Sequence, residues 1–423
     1  MTNIRLNMEG NDMTIIVGVG ETGKKIKKLF LENEKNIVWY DNDRRKWGRT
    51  IENIKVITLD ELLYEVKKND NKIIVGVEKP SLLHFIKDLK PICSVWNLNS
   101  NNELEEFDIN SIEEFKYENA KEVGEKNLEQ YKKRLEELKE ENNIKKYKHA
   151  LNYIEWKSMH LCQPEISSIE FTNNCNLKCP NCPNSTLSFH KGYITDEIFE
   201  TALKYIPPYK NDTVAVHCMG EPLLHPRVFT YLDMMAEIGI NIMMSTNGLL
   251  LDKEKSEVLL DILSKVDKSV LYISFHTKKS VENWFDFLKM YKKNPAYNKI
   301  CFCGQVLEHN AEQAHNWLKD IGVKDIYDNP NIRHITSHSW GGNVAERRKV
   351  YSDIEVRNRI RNCYYLRNRK VAVMWDGSLR GCCYDSNATQ KCGNIFDYGN
   401  SDINPLGYDL CKCCDPDWIT NFQ

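Results

Sequence analysis

The chain has 423 residues, with 58 Lys and Arg against 60 Asp and Glu, for a net charge of −2. At 49.5 kDa it is too long for one ordinary compact domain, and its even charge balance gives no whole-chain reason to bind nucleic acid or an anionic membrane. A mean hydropathy of −0.54, with no apolar run of about 18 residues, excludes a transmembrane helix, and no signal-like pattern opens the sequence, so a cytoplasmic chain is expected.

Residues 1–12 read as a tail ahead of Met13. From there to about residue 100 short apolar runs alternate with helical stretches: Thr14–Val17, a helix over Lys24–Glu32, Ile37–Tyr40, Ile54–Ile57, a helix over Leu59–Lys67, and Ile73–Val77. That alternation predicts a small parallel α/β unit over residues 13–100, half the size of a full dinucleotide-binding fold. Gly18-x-Gly20-x-x-Gly23 lies between the first strand and helix, and Asp41 closes the second strand. Glycines there let backbone approach a phosphate at a helix N-terminus, although an empty turn in a scaffold module fits the same letters. Asp41-Asn42-Asp43, Lys46-Trp47-Gly48, Val56-Ile57 and Asp60-Glu61-Leu62 make the block resemble small Rossmann-like modules found with enzymes of nucleotide-sugar and surface-polysaccharide metabolism.

Residues 101–160 are mostly charged, with Leu128, Tyr131, Leu135 and Leu138 at helical spacing and a capping box at Ser111-x-x-Glu114. They predict a helical linker whose charges form a solvated face. Strands then recur about every thirty residues, at Ile166–Thr172, Thr213–Met219, Asn241–Thr246, Ser269–Thr277 and Lys299–Leu307. Regular β/α alternation implies parallel strands with right-handed crossovers, a full or partial barrel over residues 161–345. Its unusual motifs all fall at C-terminal strand ends, where such barrels keep their chemistry.

Fifteen cysteines in a chain expected to meet a reducing compartment suggest metal rather than disulfides. The first set, Cys175, Cys179 and Cys182, follows the first barrel strand at spacings of three and two residues. A zinc knuckle would show two C-x2-C pairs or a matched histidine. Three thiolates on a four-iron, four-sulfur cube leave one iron open to a small chelating molecule.

This loop resembles the signature of the radical S-adenosylmethionine superfamily. The likeness extends to Gly220-Glu221-Pro222, Ser245-Thr246-Asn247-Gly248 and Ser274 at successive strand ends. It implies a [4Fe-4S] cluster on the three cysteines, with S-adenosylmethionine bound by Gly220, Glu221, Pro222, Ser245, Asn247 and Ser274. It further implies reductive cleavage to a 5′-deoxyadenosyl radical that abstracts hydrogen from substrate, electrons coming from a flavodoxin- or ferredoxin-type donor. The chain departs from the pattern twice. Asn181 stands where an aromatic residue usually lies near the adenine, and His276 stands where an aspartate often follows the fourth-strand serine. His276, facing the barrel mouth, is a candidate substrate contact, although a lone histidine is more often structural.

Over residues 346–423, Val371–Met374 and Leu379–Cys382 flank Asp376-Gly377 as a hairpin. Cys363, Cys382, Cys411 and Cys414 could enclose a metal, and on spacing alone a four-cysteine zinc site stays open. The arrangement resembles the twitch-type, shortened SPASM domain, which implies an auxiliary [4Fe-4S] cluster, with Cys383, Cys392 and Cys413 left over. The whole is therefore expected to be α/β, a partial (β/α)6-type TIM barrel with an N-terminal Rossmann-like domain and a small cysteine-rich C-terminal domain.

The expected reaction is oxidation of a substrate C–H on a carbohydrate, cyclitol or nucleotide-linked sugar. A radical epimerase, with Cys218, Cys301 or Cys303 returning hydrogen, a peptide-modifying maturase and a non-catalytic metal-binding scaffold are the alternatives; for each cysteine a buried small hydrophobe is the plainer role.

Overall fold

The computed structural model describes residues 13–19, 21–30, 36–41, 46, 48–58, 61–62, 64–65, 72–75, 94–98, 104–106, 120–186, 190–324, 326–337, 339–340, 342–351, 356, 360, 363–387, 389–401 and 407–414. The expected tail, Gly20, Asn42, Asp43, Trp47, Asp60 and the Ser111–Glu114 box lie outside them. The chain divides into two compact units, the first of Met1–Lys116, Tyr351–Cys363 and Pro416–Gln423, the second of Tyr117–Val350 and Tyr364–Asp415.

In the first unit the strands are β1 (Thr14–Val17), β2 (Ile37–Tyr40), β3 (Thr50–Ile51), β4 (Ile54–Ile57), β5 (Lys72–Val75), β6 (Ser94–Leu98) and β7 (Leu104–Glu106), with helix α1 (Glu21–Phe30) after β1. Among the described residues the sheet order is β3-β4-β2-β1-β5-β6-β7. The five inner strands are mutually parallel, and β3 and β7 pair antiparallel at the edges. The parallel layer thus extends two strands to either side of β1, beyond the half-fold expected. The three-residue β7 falls where the charge run suggested helix; pairing with β6 outweighs the local preference. Ile16, Val19, Ile26, Trp39, Val56 and Ile74 form the core of this unit.

Of the turn's three glycines, Gly18 and Gly23 are described. Gly18 has φ +98°, and a Cβ on Gly23 would overlap the Gly18 carbonyl oxygen and crowd the Trp39 ring. Only glycine lets α1 pack this closely on the sheet. Asp41 is spent on the turn itself: its Oδ2 accepts from Val19 N at 3.1 Å and from Lys46 Nζ at 2.9 Å.

The second unit begins with α2 (Ala120–Glu140) and α3 (Ile144–Met159). Leu128, Tyr131, Tyr153 and Ile154 join the same hydrophobic core as the barrel strands, so the segment expected as a solvated linker is a packed layer with only its charged face in water. Next come β8 (Glu165–Ile169), α4 (Asp196–Leu203), β9 (Val214–Ala215), α5 (Val228–Glu237), β10 (Ile242–Thr246), α6 (Lys253–Leu263), β11 (Ser269–Ser274), α7 (Lys278–Lys293), β12 (Ile300–Leu307), α8 (Ala311–Asp320) and β13 (Ile332–Ile335). Strands β8 to β13 are parallel in sequence order, six strands of an open, partial barrel. The sixth, β13, escaped the sequence pattern because Arg333 and His334 are exposed on a short edge strand.

The C-terminal hairpin continues this sheet. After α9 (Tyr364–Arg367), β14 (Lys370–Val373) pairs parallel with β8, then antiparallel with β15 (Ser378–Arg380), which pairs with β16 (Lys391–Asn394). Gly377 makes the turn at φ +82°. Phe171, Phe199, Trp284 and Phe287 are fully buried between sheet and helices, each contributing about 1.5–3 kcal/mol.

At the N-terminal ends of the strands a cavity of about 410 Å³ is lined by Tyr131, Glu165, Tyr209, Asp212, Tyr364 and Lys370 among others. Its buried groups satisfy one another. Glu165 accepts from Lys370 Nζ at 3.0 Å, Tyr131 OH at 2.9 Å and Asn127 Nδ2 at 3.0 Å, and Tyr364 OH donates to Asp212.

Candidate active site

The opposite end of the sheet collects the motifs. Past β8 the chain enters the cysteine loop, held at both ends by buried asparagines. Asn173 bonds His190 O at 2.9 Å and Gly192 N at 2.9 Å, and Asn184 Nδ2 donates to Asn173 O at 2.7 Å and Met219 O at 2.6 Å. Within the loop Cys182 N donates to Cys179 O at 3.2 Å, a tight turn that brings two thiols to one side.

All three thiols are partly buried, and each is pushed above its ordinary pKa. Burial raises Cys179 to about 12, with the neighbouring Cys182 and Cys175 adding to it. Burial also raises Cys175, against the N–H of Leu177, and Cys182, against that of Asn184. Three crowded, half-buried thiols are poor anions by themselves, so a positive centre is needed to make them thiolates. Among the described residues no three His, Cys, Asp or Glu side chains are gathered as a ligand set for a single metal ion.

The strand-end motifs close around one side of this loop. Gly220 admits no side chain, because a Cβ would overlap the Thr172 carbonyl oxygen. Glu221 N donates to Asn174 O at 2.8 Å, locking the motif to the loop. The Glu221 carboxylate is 2 % exposed, and its oxygens accept from Thr246 Oγ1 at 2.7 Å, Leu223 N at 3.1 Å and Asn247 N at 2.7 Å. Burial raises its pKa against these three bonds. Since the side chain is committed to holding β10 against the loop, backbone is what Gly220-Glu221-Pro222 can present to a ligand's amino group. Asn247 Nδ2 reaches Asn176 Oδ1 at 2.7 Å and its amide also bonds Cys175. Asn176, which no motif marked, and Thr246, present in the strand-end motif without an assigned role, thus complete the contact.

Ser245 is half-buried at the end of β10, its N–H donating to His217 Nδ1 at 3.1 Å. Ser274 Oγ lies 3.0 Å from the Gln305 amide. Turning that amide gives both atoms partners: its nitrogen donates to Ser274 and its oxygen accepts from Arg333, whose guanidinium stacks 4.1 Å over the Tyr272 ring. His276 is half-buried just past the end of β11, beside the cysteine loop. Its Nδ1 lies 3.4 Å from Cys179 Sγ, and burial, with His309 nearby, lowers its pKa to about 4. The imidazole is thus neutral and lies against a cysteine of the loop.

Cys218 lies near Glu170, Arg380 and Cys382, and burial pushes its thiol up. Glu170 is fully buried, Oε1 accepting from Met219 N at 3.0 Å, and burial raises its pKa to about 7 despite Arg380. Neither Glu170 nor Arg380 was visible in the sequence, where each reads as one more charged residue beside a strand. Cys301 is exposed and Cys303 buried on β12.

Of the C-terminal thiols, Cys382 is raised by a hydrogen bond with the Cys383 thiol and by burial. Cys411 is pushed to about 11 by burial, with Cys382 also contributing. Cys414 N closes a turn on Cys411 O at 3.3 Å. Cys363 belongs to the segment that goes with the first unit. Cys392 Sγ lies 3.4 Å from Tyr408 OH, and the Cys413 carbonyl accepts from Ser339 Oγ at 2.8 Å.

Residues 169–333 match the Radical SAM superfamily model. No curated protein matches the chain. Among solved structures it is similar to BtrN in complex with AdoMet and 2-DOIA, at 18% identity and TM-score 0.38 over 60% of this chain and 94% of that one. It is also similar to Streptococcus suis SuiB bound to precursor peptide SuiA, at 16% identity and TM-score 0.37 over 64% and 70%, and to anSMEcpe with bound AdoMet, at 16% and 0.36 over 55% and 78%. That superfamily uses a [4Fe-4S] cluster with S-adenosylmethionine, and the three-thiol loop with its glycine-backed motif fits both. The barrel segment of this chain, residues 169–333, is thus similar to the radical S-adenosylmethionine domain.

Proposed function

We propose that the protein is an oxidoreductase that removes hydrogen from a C–H of a carbohydrate, cyclitol or nucleotide-linked sugar. When bound, the cluster and S-adenosylmethionine supply a 5′-deoxyadenosyl radical, the chemistry no side chain can provide. Cys175, Cys179 and Cys182 would hold the cluster, Gly220 to Pro222 and Asn247 would position the methionine end, and buried Glu221 keeps those elements in register.

The observation that carries the oxidative reading is the second thiol set: Cys382, just past a hairpin that extends the barrel's own sheet, lies near Cys411, on whose carbonyl Cys414 closes a turn. An auxiliary iron–sulfur cluster there would give the substrate electron a destination, and the net outcome is then oxidation. The sugar-related substrate class rests on the N-terminal unit's resemblance and glycine turn, and an external flavodoxin- or ferredoxin-type donor completes the electron supply.

A second reading is favoured by Cys218, whose thiol burial keeps protonated beside Glu170 and Cys382. A protonated thiol can return a hydrogen atom, and the outcome would be epimerisation. The two readings separate in one experiment. Reconstituted protein is given S-adenosylmethionine, reductant and a panel of nucleotide-linked sugars and cyclitols, and products are examined by mass. A product two mass units lighter than its substrate supports oxidation. An isobaric product carrying solvent deuterium, lost in Cys218→Ala, overturns it in favour of epimerisation.

A further inference from the structure

The strap between β13 and α9 carries an unusual residue. Trp340 has φ +51°, a left-handed conformation that a bulky side chain adopts only when its surroundings impose it. The surroundings are specific. Ser339 Oγ donates to the Cys413 carbonyl at 2.8 Å and accepts from Gly342 N at 3.1 Å, while Val344 N returns to Ser339 O at 3.0 Å. Asn343 Nδ2 bonds both Trp340 O at 2.8 Å and Tyr384 O at 3.2 Å.

The result is an indole delivered to the cysteine loop. Trp340 Nε1 donates to Asn181 O at 3.0 Å, one residue before Cys182, and Asn181 Nδ2 reaches Ser337 Oγ at 3.4 Å. The edge of Tyr384 meets the indole at 5.3 Å and 79°, fixing the ring plane. The loop therefore has two differently furnished sides. Cys175 and Asn176 face Asn247 and the Glu221 motif, which are polar, and the Cys182 end faces an aromatic wall. S-adenosylmethionine is itself two-sided, with a charged amino acid at one end and one flat group, adenine, at the other. Asn181 has no ring to offer that base.

We propose that Trp340, held strained against Asn181, is the aromatic wall on which the adenine of S-adenosylmethionine stacks. The inference rests on the S-adenosylmethionine reading and is independent of the substrate, while the strap that carries Trp340 is anchored on the Cys413 and Tyr384 carbonyls beside the second cysteine set. Trp340 is a positioning residue: with its N–H engaged, a ring face is what it offers a base.

The test measures binding to anaerobically reconstituted full-length protein. S-adenosylhomocysteine carries the adenine and methionine does not. Trp340→Leu is expected to weaken S-adenosylhomocysteine roughly 5- to 100-fold, the span of one stacked base, and to leave methionine binding within about 2-fold. Trp340→Phe, which keeps a ring, is expected to stay within about 5-fold of the parent. Unchanged S-adenosylhomocysteine binding by Trp340→Leu would overturn the proposal, as would equal loss of both ligands, which would make the indole a pin for the loop. Should Trp340→Leu fail to hold iron, Trp340→Phe decides: S-adenosylhomocysteine is expected to quench indole emission in the parent, and that quench should vanish in the variant while binding persists. A quench undiminished in Trp340→Phe overturns the assignment.

Discussion

Both oxygens of the Glu165 carboxylate are occupied, by Lys370, Tyr131 and Asn127, in a site 1 % exposed. Burial works to raise its pKa, yet Lys370 and Lys157 prevail and hold it below the ordinary value. A depressed carboxyl contributes stability above its unfolded pKa of about 4.3 and loses it as pH falls through the folded value. Removing the cation strands the charge, so Lys370→Met should cost about 3–5 kcal/mol in denaturant unfolding near pH 7. A cost below about 1 kcal/mol would show that the carboxylate is neutralised another way. Glu170 has the opposite sign: raised to about 7, its contribution is full below about pH 4 and lost as pH rises through 7. Glu170→Gln should therefore flatten the decline in stability between pH 5 and 8, gaining on the order of 1–3 kcal/mol at the upper end. These buried charges were illegible in the sequence because a strand-end Glu looks the same whether it meets water or Arg380. The cysteines were legible because their chemistry depends on type and local spacing.

At the scale of elements, motif-bearing strands β8, β9, β10 and β11 could be located from apolar runs, while β13 and β7 could not. Their pairing is supplied by distant partners and leaves no pattern in four or fewer residues. The C-terminal hairpin was readable from Asp376-Gly377, but its junction with β8 was not, since β14 and β8 lie some two hundred residues apart in sequence and meet only in the sheet. Close packing between elements also sets tolerances. A Cβ on Gly304 in β12 would overlap the Phe275 ring, which follows Ser274 and precedes His276. Gly304→Ala should thus destabilise the protein by about 1–3 kcal/mol and, by shifting those neighbours, weaken S-adenosylmethionine binding. Thermal unfolding and ligand binding measured on one preparation check both effects. A variant with parental values would show that the ring has room to move.

For the whole molecule, the described residues include no helix long and apolar enough to cross a membrane. The parallel α/β layers expected from strand spacing are present in both units, and the unexpected feature is that the cysteine hairpin extends the barrel sheet. Two thiol sets in one chain predict about eight irons and eight sulfides after anaerobic reconstitution. About four, with one zinc, would assign the C-terminal set to a structural ion. Cys382→Ala should reduce a count of eight to about four and leave S-adenosylmethionine binding in place.

The three-thiol loop is the centre of the account, and production of 5′-deoxyadenosine tests it most directly. Dithionite-reduced protein incubated with S-adenosylmethionine should release 5′-deoxyadenosine, and Cys179→Ala, prepared in parallel, should release none above the protein-free control. Equal release by parent and variant would contradict the assignment of Cys175, Cys179 and Cys182 as the cluster that opens S-adenosylmethionine.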